Sequence, residues 1–93
     1  MTNKSAHLLL EEKREISGFR FEMVAWEVPT SEHYPHGISY RFWFGNARDT
    51  LVLYDVHHGK PYHKHLAGKV FPYEFTDLNA LIDDFLADTE VFR

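Results

Sequence analysis

The sequence contains no cysteine. Disulfide bonds, thiolate nucleophiles and zinc sites built on sulfur are therefore excluded, and a reducing compartment is the natural setting. Long apolar runs are missing too. The run near the amino terminus spans only residues 8–10, which is too short for a signal peptide or for the roughly 20 apolar residues of a membrane span. We therefore expect a soluble, cytoplasmic protein without a membrane partner.

Acidic residues outnumber basic ones, with 14 Asp and Glu against 10 Lys and Arg. The formal net charge of -4 argues against nucleic-acid binding by the surface as a whole. Residues 77–90 carry acids and no base, whereas Lys60, Lys64 and Lys69 surround a histidine-rich stretch. This local basic patch is the sequence support for an anionic ligand.

The length and composition indicate one small ordered domain. The 93 residues leave no room for a second hydrophobic core, so a single domain over residues 1–93 is expected. A hydrophobic content of 44% and an aromatic content of 16% are typical of a folded, sheet-rich protein.

Alternating apolar and polar residues predict three strands, over residues 19–28, 38–44 and 50–56. The segment GNARD between the second and third has the length of a hairpin connection. Residues 8–16 precede a turn signal at Ser17 and Gly18, and we interpret them as a strand that pairs with residues 19–28. A short helix is the alternative there, because Glu, Lys, Leu and Arg all favour helix.

The carboxyl-terminal segment predicts an amphipathic helix. Apolar residues recur at helical spacing at Leu78, Leu81, Ile82, Phe85 and Leu86. Thr76 is the expected N-cap, with Asp77 in the first turn. The predicted fold is α+β: an antiparallel meander of about four strands with one carboxyl-terminal helix packed on a sheet face.

The helix can cover only one face of this sheet, so aromatic residues on the other face need an explanation. This face is expected to expose Trp26, Trp43 and Tyr54, and the two tryptophans are candidates for a partner interface, either with another protein or with a second copy of the chain. Loops that fold over this face are the alternative.

Residues 54–65 read YDVHHGKPYHKH and contain four of the seven histidines. If the segment around His63 and His65 is extended, both imidazoles project from the same face. RNA cleavage by the neighbouring 2′-hydroxyl needs a base, an acid and a cation for the phosphorane charge. His63 and His65 can supply the proton transfers, Lys60 can supply the cation, and Asp55 can orient a histidine.

Further residues of this region are candidate substrate contacts. Lys64 is a second candidate cation, and aromatic side chains can stack on bases or donate a hydroxyl, namely those of Tyr54, Tyr62 and Tyr73. This hypothesis requires no metal and no cofactor.

Other interpretations of the histidines stay open. His63, His65 and Asp55 can bind a metal, with His57 and His58 as further ligand candidates, although no zinc signature is present. A polar loop without function is the remaining alternative. Arg20 and Arg41 can bind phosphate if they are neighbours on one sheet face, but solvated strand positions explain them equally well.

Four short motifs occur in order along the chain: FEMVAWEVP, YRFWF, YDVHHGKPYHKH and PYEFTDLNALIDDFLADTE. Together they resemble the TumE-like toxin family of prokaryotic type II toxin–antitoxin systems, over roughly residues 6–90. The resemblance implies a toxin whose partner is a helix-turn-helix antitoxin. RNA and a second copy of the chain are further candidate partners.

The resemblance also marks individual residues. Tyr54 and Asp55 match the family's Tyr-Asp, Lys60 belongs to its Gly-Lys, and His63 and His65 match its His-x-His. Tyr73 belongs to the matching segment before the helix. Two departures occur, because Val56 stands where the family usually has Asn, and residues 61–62 read Pro-Tyr where Gly-Asp is common.

Overall fold

The fold is known from a computed structural model that describes residues 6–56 and 62–93. Its elements follow one another as β1 (His7–Ile16), β2 (Phe19–Glu27), β3 (Ile38–Gly45), β4 (Thr50–Asp55), β5 (His63–Leu66), β6 (Lys69–Pro72) and α1 (Leu78–Glu90). The strands form one antiparallel sheet in the order β1-β2-β3-β4-β5-β6, so each strand pairs with its neighbour in sequence. The α+β class, the meander and the carboxyl-terminal helix are confirmed.

The predicted number of strands was wrong. The described residues form six strands rather than about four, because the segment from Tyr62 to Phe75 contains the hairpin β5–β6. Ala67 and Gly68 make its two-residue turn with φ of 50° and 84°, the positive values that a type I′ hairpin turn requires. Each strand has only four residues, too few for alternation to stand out in the sequence.

The interpretation of residues 8–16 as a strand is confirmed, and the helical alternative is not. Ser17 and Gly18 form the predicted turn, with φ of 51° and 84°. The pairing of β1 with β2 runs from Ile16 opposite Phe19 to His7 opposite Glu27. A tight two-residue turn of this kind joins antiparallel strands directly, so it specifies the hairpin register.

The helix begins one residue later than predicted. Asp77, not Thr76, is the N-cap, and its carboxylate accepts a hydrogen bond of 2.8 Å from the backbone N–H of Ala80. A carboxylate at this position also interacts favourably with the positive end of the helix dipole. The helix has 13 residues, and the described part of the chain contains no helix long and apolar enough to cross a membrane.

The core lies between α1 and one face of the sheet. Its fully buried residues alternate along the strands, as predicted for residues 19–28 and 38–44. The buried hydrophobic residues are Phe21, Ala25, Tyr40, Phe42, Phe44, Val52, Tyr54, Phe75, Leu81 and Phe85. We call this the helix face of the sheet and the opposite side the open face, because α1 covers only the first.

Candidate active site on the open sheet face

The alternation of side chains divides the histidine-rich region between the two faces of the sheet. Tyr54 belongs to the helix face, so its neighbour Asp55 points to the open face. In the pairing of β4 with β5, Asp55 lies opposite His63 and Leu53 lies opposite His65. Directly opposite residues share a face, so Asp55, His63 and His65 lie together on the open face.

The distances confirm this arrangement. Nε2 of His63 lies 3.8 Å from Oδ1 of Asp55, and the two side chains are 14% and 17% exposed. The rings of His63 and His65 are 5.0 Å apart between centroids and meet edge to face at 79°. One nitrogen from each histidine and one oxygen of Asp55 lie within 4.8 Å of one another. This group, which we call the Asp-His-His cluster, can exchange protons or bind a cation.

One carboxylate oxygen of the cluster lacks a hydrogen bond from the described residues. Oδ1 of Asp55 is buried and finds no hydrogen-bond partner among the described residues. Leaving a buried charged acceptor without a partner costs free energy, on the order of 1–3 kcal/mol or more. An imidazolium or a metal ion at this point would offset that cost, so the carboxylate favours a positive charge beside it.

Arg41 completes a row across the open face. It lies directly opposite Asp55 in the pairing of β3 with β4 and is exposed. Arg20 is not its neighbour, because Arg20 pairs with Gly45 and contacts Glu15 and Glu22. The sequence pattern did not show that Arg41 lies beside Asp55. The connection GNARD does not reveal this, because the strands shift register between Phe44 and Gly45, and this shift brings Arg41 opposite Asp55.

Two of the predicted substrate contacts, Tyr54 and Lys64, lie on the helix face. Tyr54 donates a short hydrogen bond to Asp88 of α1, and Nζ of Lys64 lies 2.9 Å from the same carboxylate. The ammonium also lies 5.5 Å from the centre of the Tyr54 ring. This buried network ties β4 and β5 to the helix, so Tyr54 and Lys64 are separated from the histidine pair by the sheet itself.

Tyr73 and Tyr62 extend this network. The hydroxyl of Tyr73 donates to Asp84 of α1 at 2.7 Å, and its ring contacts that of Tyr54 with centroids 4.9 Å apart. Tyr62 stacks on Phe75 at 5.8 Å, and its buried hydroxyl has no hydrogen-bond partner among the described residues. The roles of Tyr54, Lys64, Tyr62 and Tyr73 in substrate binding stay predictions.

Other predicted residues fall elsewhere. Lys60, His57 and His58 lie outside the described residues. Trp26 is on the open face and 38% exposed. Trp43 is partly buried there, and its indole N–H donates to the hydroxyl of Thr50 at 2.8 Å.

Two buried tyrosines and one half-buried tyrosine predict a loss of stability at alkaline pH. Burial raises the pKa of Tyr54 above its usual value, and the hydrogen bond to Asp88 raises this pKa further. The pKa of Tyr73 is raised by burial and by its bond to Asp84, and that of Tyr40 by burial and by the nearby Tyr62 and Asp55. The unfolded chain therefore releases these protons at lower pH than the folded chain.

Folding raises the pKa of each tyrosine, so each protonated tyrosine stabilises the folded chain. This contribution to the free energy of unfolding is fully present below about pH 10. Above that pH it declines by up to about 1.4 kcal/mol per pH unit for each tyrosine. We expect the urea midpoint to fall steeply above about pH 10. The Tyr73→Phe variant should show a shallower decline, whereas a midpoint that stays constant through the tyrosine titration would contradict the prediction.

The comparisons with known proteins agree with the family that the sequence resembles. The family profile described as Toxin TumE matches residues 6–92. No curated protein and no solved structure matches the chain. The matched region includes all six strands, the helix and every residue of the Asp-His-His cluster. Because the profile accounts for nearly the whole chain, this protein belongs to the TumE toxin family, and membership implies an antitoxin partner.

Proposed function

We propose that this TumE-family toxin cleaves RNA at the Asp-His-His cluster, with His63 and His65 as the acid–base pair. The observation that carries the proposal is the pair of imidazoles 5.0 Å apart on the sheet face that the helix leaves open. Two imidazoles that face the same space can serve one reacting phosphate as base and acid.

The proposed reaction is transesterification within the RNA strand. One imidazole removes the proton of the 2′-hydroxyl, whose oxygen attacks the adjacent phosphorus. The bond from phosphorus to the 5′-oxygen of the next nucleotide breaks, and the other imidazole gives its proton to that oxygen. The products are a 2′,3′-cyclic phosphate and a free 5′-hydroxyl, so no external reactant is consumed.

Neighbouring residues support these steps. Asp55, 3.8 Å from His63, supplies a negative charge beside that ring and orients it. A cation is needed near the phosphate. Lys60, which the sequence predicts for this role, is the first candidate. Arg41, directly opposite Asp55, is a second cation on the same face, and its planar guanidinium suits a phosphate.

The direct test uses purified protein and a short RNA in buffer with EDTA. We expect cleavage that leaves 2′,3′-cyclic phosphate ends. A matched RNA with a single 2′-deoxy sugar should resist cleavage at that position only, because the attacking oxygen is missing. Cleavage that continues at the 2′-deoxy position, or no cleavage of any RNA by a folded protein, would refute the mechanism.

The proposed partner is a helix-turn-helix antitoxin that restrains the toxin in the cytoplasm.

An exposed surface on β1 and β2 supports protein binding as a second function of the domain. Leu8 and Trp26 are cross-strand neighbours on β1 and β2, and they are 47% and 38% exposed. Exposed aromatic residues in such pairs are typical of interfaces.

Light scattering on the toxin alone and mixed with the antitoxin tests this interface. Trp26→Ala should weaken the complex, or a homodimer if one forms. Trp43→Ala is the comparison variant, because Trp43 is held by Thr50 and less exposed. Unchanged assembly in a folded Trp26→Ala protein would move the interface elsewhere.

A further inference from the structure

We propose that Asp55, His63 and His65 bind one divalent transition-metal ion such as Zn²⁺, and that this ion inhibits the toxin. The binding site follows from the geometry of the cluster alone. The inhibitory role rests on the proposed function, because it requires the same histidines to transfer protons.

The donor set suits a transition metal. Two imidazole nitrogens and one carboxylate oxygen are ligands that zinc, nickel, copper and iron accept, whereas Mg²⁺ and Ca²⁺ prefer oxygen alone. Three protein ligands leave a fourth position of a tetrahedral ion for water. The helix α1 packs on the other face of the sheet and does not cover these ligands.

The distances are close to those of a metal site. Bonds of about 2.0–2.1 Å in a tetrahedral zinc site place the ligand atoms about 3.4 Å from one another. The contact between His63 and Asp55 measures 3.8 Å, and the three ligand atoms lie within 4.8 Å of one another. Side-chain rotations that move these atoms by about 1 Å therefore suffice, and the backbone can stay in place.

The backbone holds the three ligands in position. His63 and His65 project from the same face of β5 because they are two residues apart, and Asp55 is directly opposite His63 on β4. Among the described residues, the buried Oδ1 of Asp55 has no hydrogen-bond partner, and this is an independent observation that favours a cation at this point. Arg41 beside Asp55 opposes a second positive charge, so we expect weaker binding than at a closed structural zinc site.

Inhibition follows from the competition for lone pairs. A nitrogen that coordinates a metal ion has no lone pair left to accept a proton from the 2′-hydroxyl. An imidazole held by the ion also cannot carry the proton that the leaving oxygen needs. The metal-bound toxin would keep its fold and lose its acid–base pair.

The first experiment measures binding without RNA. Calorimetric titration of the untagged protein with Zn²⁺ should give one ion per chain. His65→Ala and Asp55→Asn should each weaken binding about tenfold or more, whereas His7→Ala, at an exposed position of β1, should bind as the wild type does. Circular dichroism checks that each variant is folded. No binding by the wild type, or equal binding by folded His65→Ala, would overturn the site.

The second experiment separates the site from its role. RNA cleavage that Zn²⁺ stops and EDTA restores would support inhibition. Cleavage that requires Zn²⁺ would overturn inhibition and make the ion a cofactor. Zinc binding by the wild type together with no RNA cleavage under any condition would leave the site standing, and would refute both the inhibitory role and the proposed function.

Discussion

Replacing His63 and His65 together by alanine is expected to abolish growth arrest and RNA breakdown when the protein is expressed in cells. General acid–base catalysis contributes about 10²–10⁴-fold to a rate, and this variant removes both the acid and the base. The two rings are neighbours on the open face. Each single variant should therefore lose most of the activity, and the double variant should lose little more, because the two groups act in one reaction.

The controls separate catalysis from folding. His7→Ala removes an exposed imidazole from β1, outside the cluster, and should leave the arrest intact. The double variant should keep the wild-type circular dichroism, because the two rings lie across the sheet from the core. Persistent RNA breakdown by a folded double variant would remove both histidines from the mechanism.

The same experiment distinguishes the two proposed functions. Total RNA on a gel, taken at the onset of arrest, shows whether RNA is degraded. Arrest with intact RNA would point to the exposed surface at Leu8 and Trp26 and to protein binding as the cause. Arrest with RNA breakdown that disappears in the double variant would support the Asp-His-His cluster as the active site.

Replacing Phe85 by alanine is expected to lower the free energy of unfolding by about 3–5 kcal/mol. Phe85 is fully buried where α1 meets the sheet. Its ring meets those of Phe42 and Tyr54 edge to face, with centroids 5.4 and 5.7 Å away. Alanine would remove these contacts and leave a cavity that the surrounding rings fill only partly. A domain of this size has about 5–15 kcal/mol of stability in total, so the substitution removes a large share of it.

Urea denaturation followed by tryptophan fluorescence measures this change. Val91→Ala is the matched control at the end of the same helix, because Val91 is 80% exposed and should cost less than about 0.5 kcal/mol. A loss below about 1 kcal/mol in Phe85→Ala would mean that the helix does not pack on the sheet as described.

The elements with a long periodic pattern could be predicted from the sequence. Strands β2 and β3 are eight or nine residues long, and α1 has apolar residues at every turn, so their patterns distinguish strand from helix. The helical stripe at Leu81 and Phe85 also identified the buried side of α1. The predicted N-cap was one residue too early. Thr76 and Asp77 are both good caps, and only the backbone conformation decides between them.

The hairpin β5–β6 could not be predicted in this way. Its strands are short, and the first carries His and Lys in place of an apolar alternation. Its turn uses Ala67 with a positive φ, which is uncommon for a residue other than glycine. The strand conformation comes from pairing with β4, a contact between segments that the local sequence does not specify.

The sequence by itself determined the α+β class, the order of the main elements, the helix stripe and the concentration of histidines beside Asp55. Only the tertiary structure decided which of the clustered residues meet. Pairing β4 with β5 puts Asp55, His63 and His65 on the open face and puts Tyr54 and Lys64 beside Asp88 on the helix face. The physical reason is the period of two along a strand, since a shift in register by a single residue would exchange the two faces.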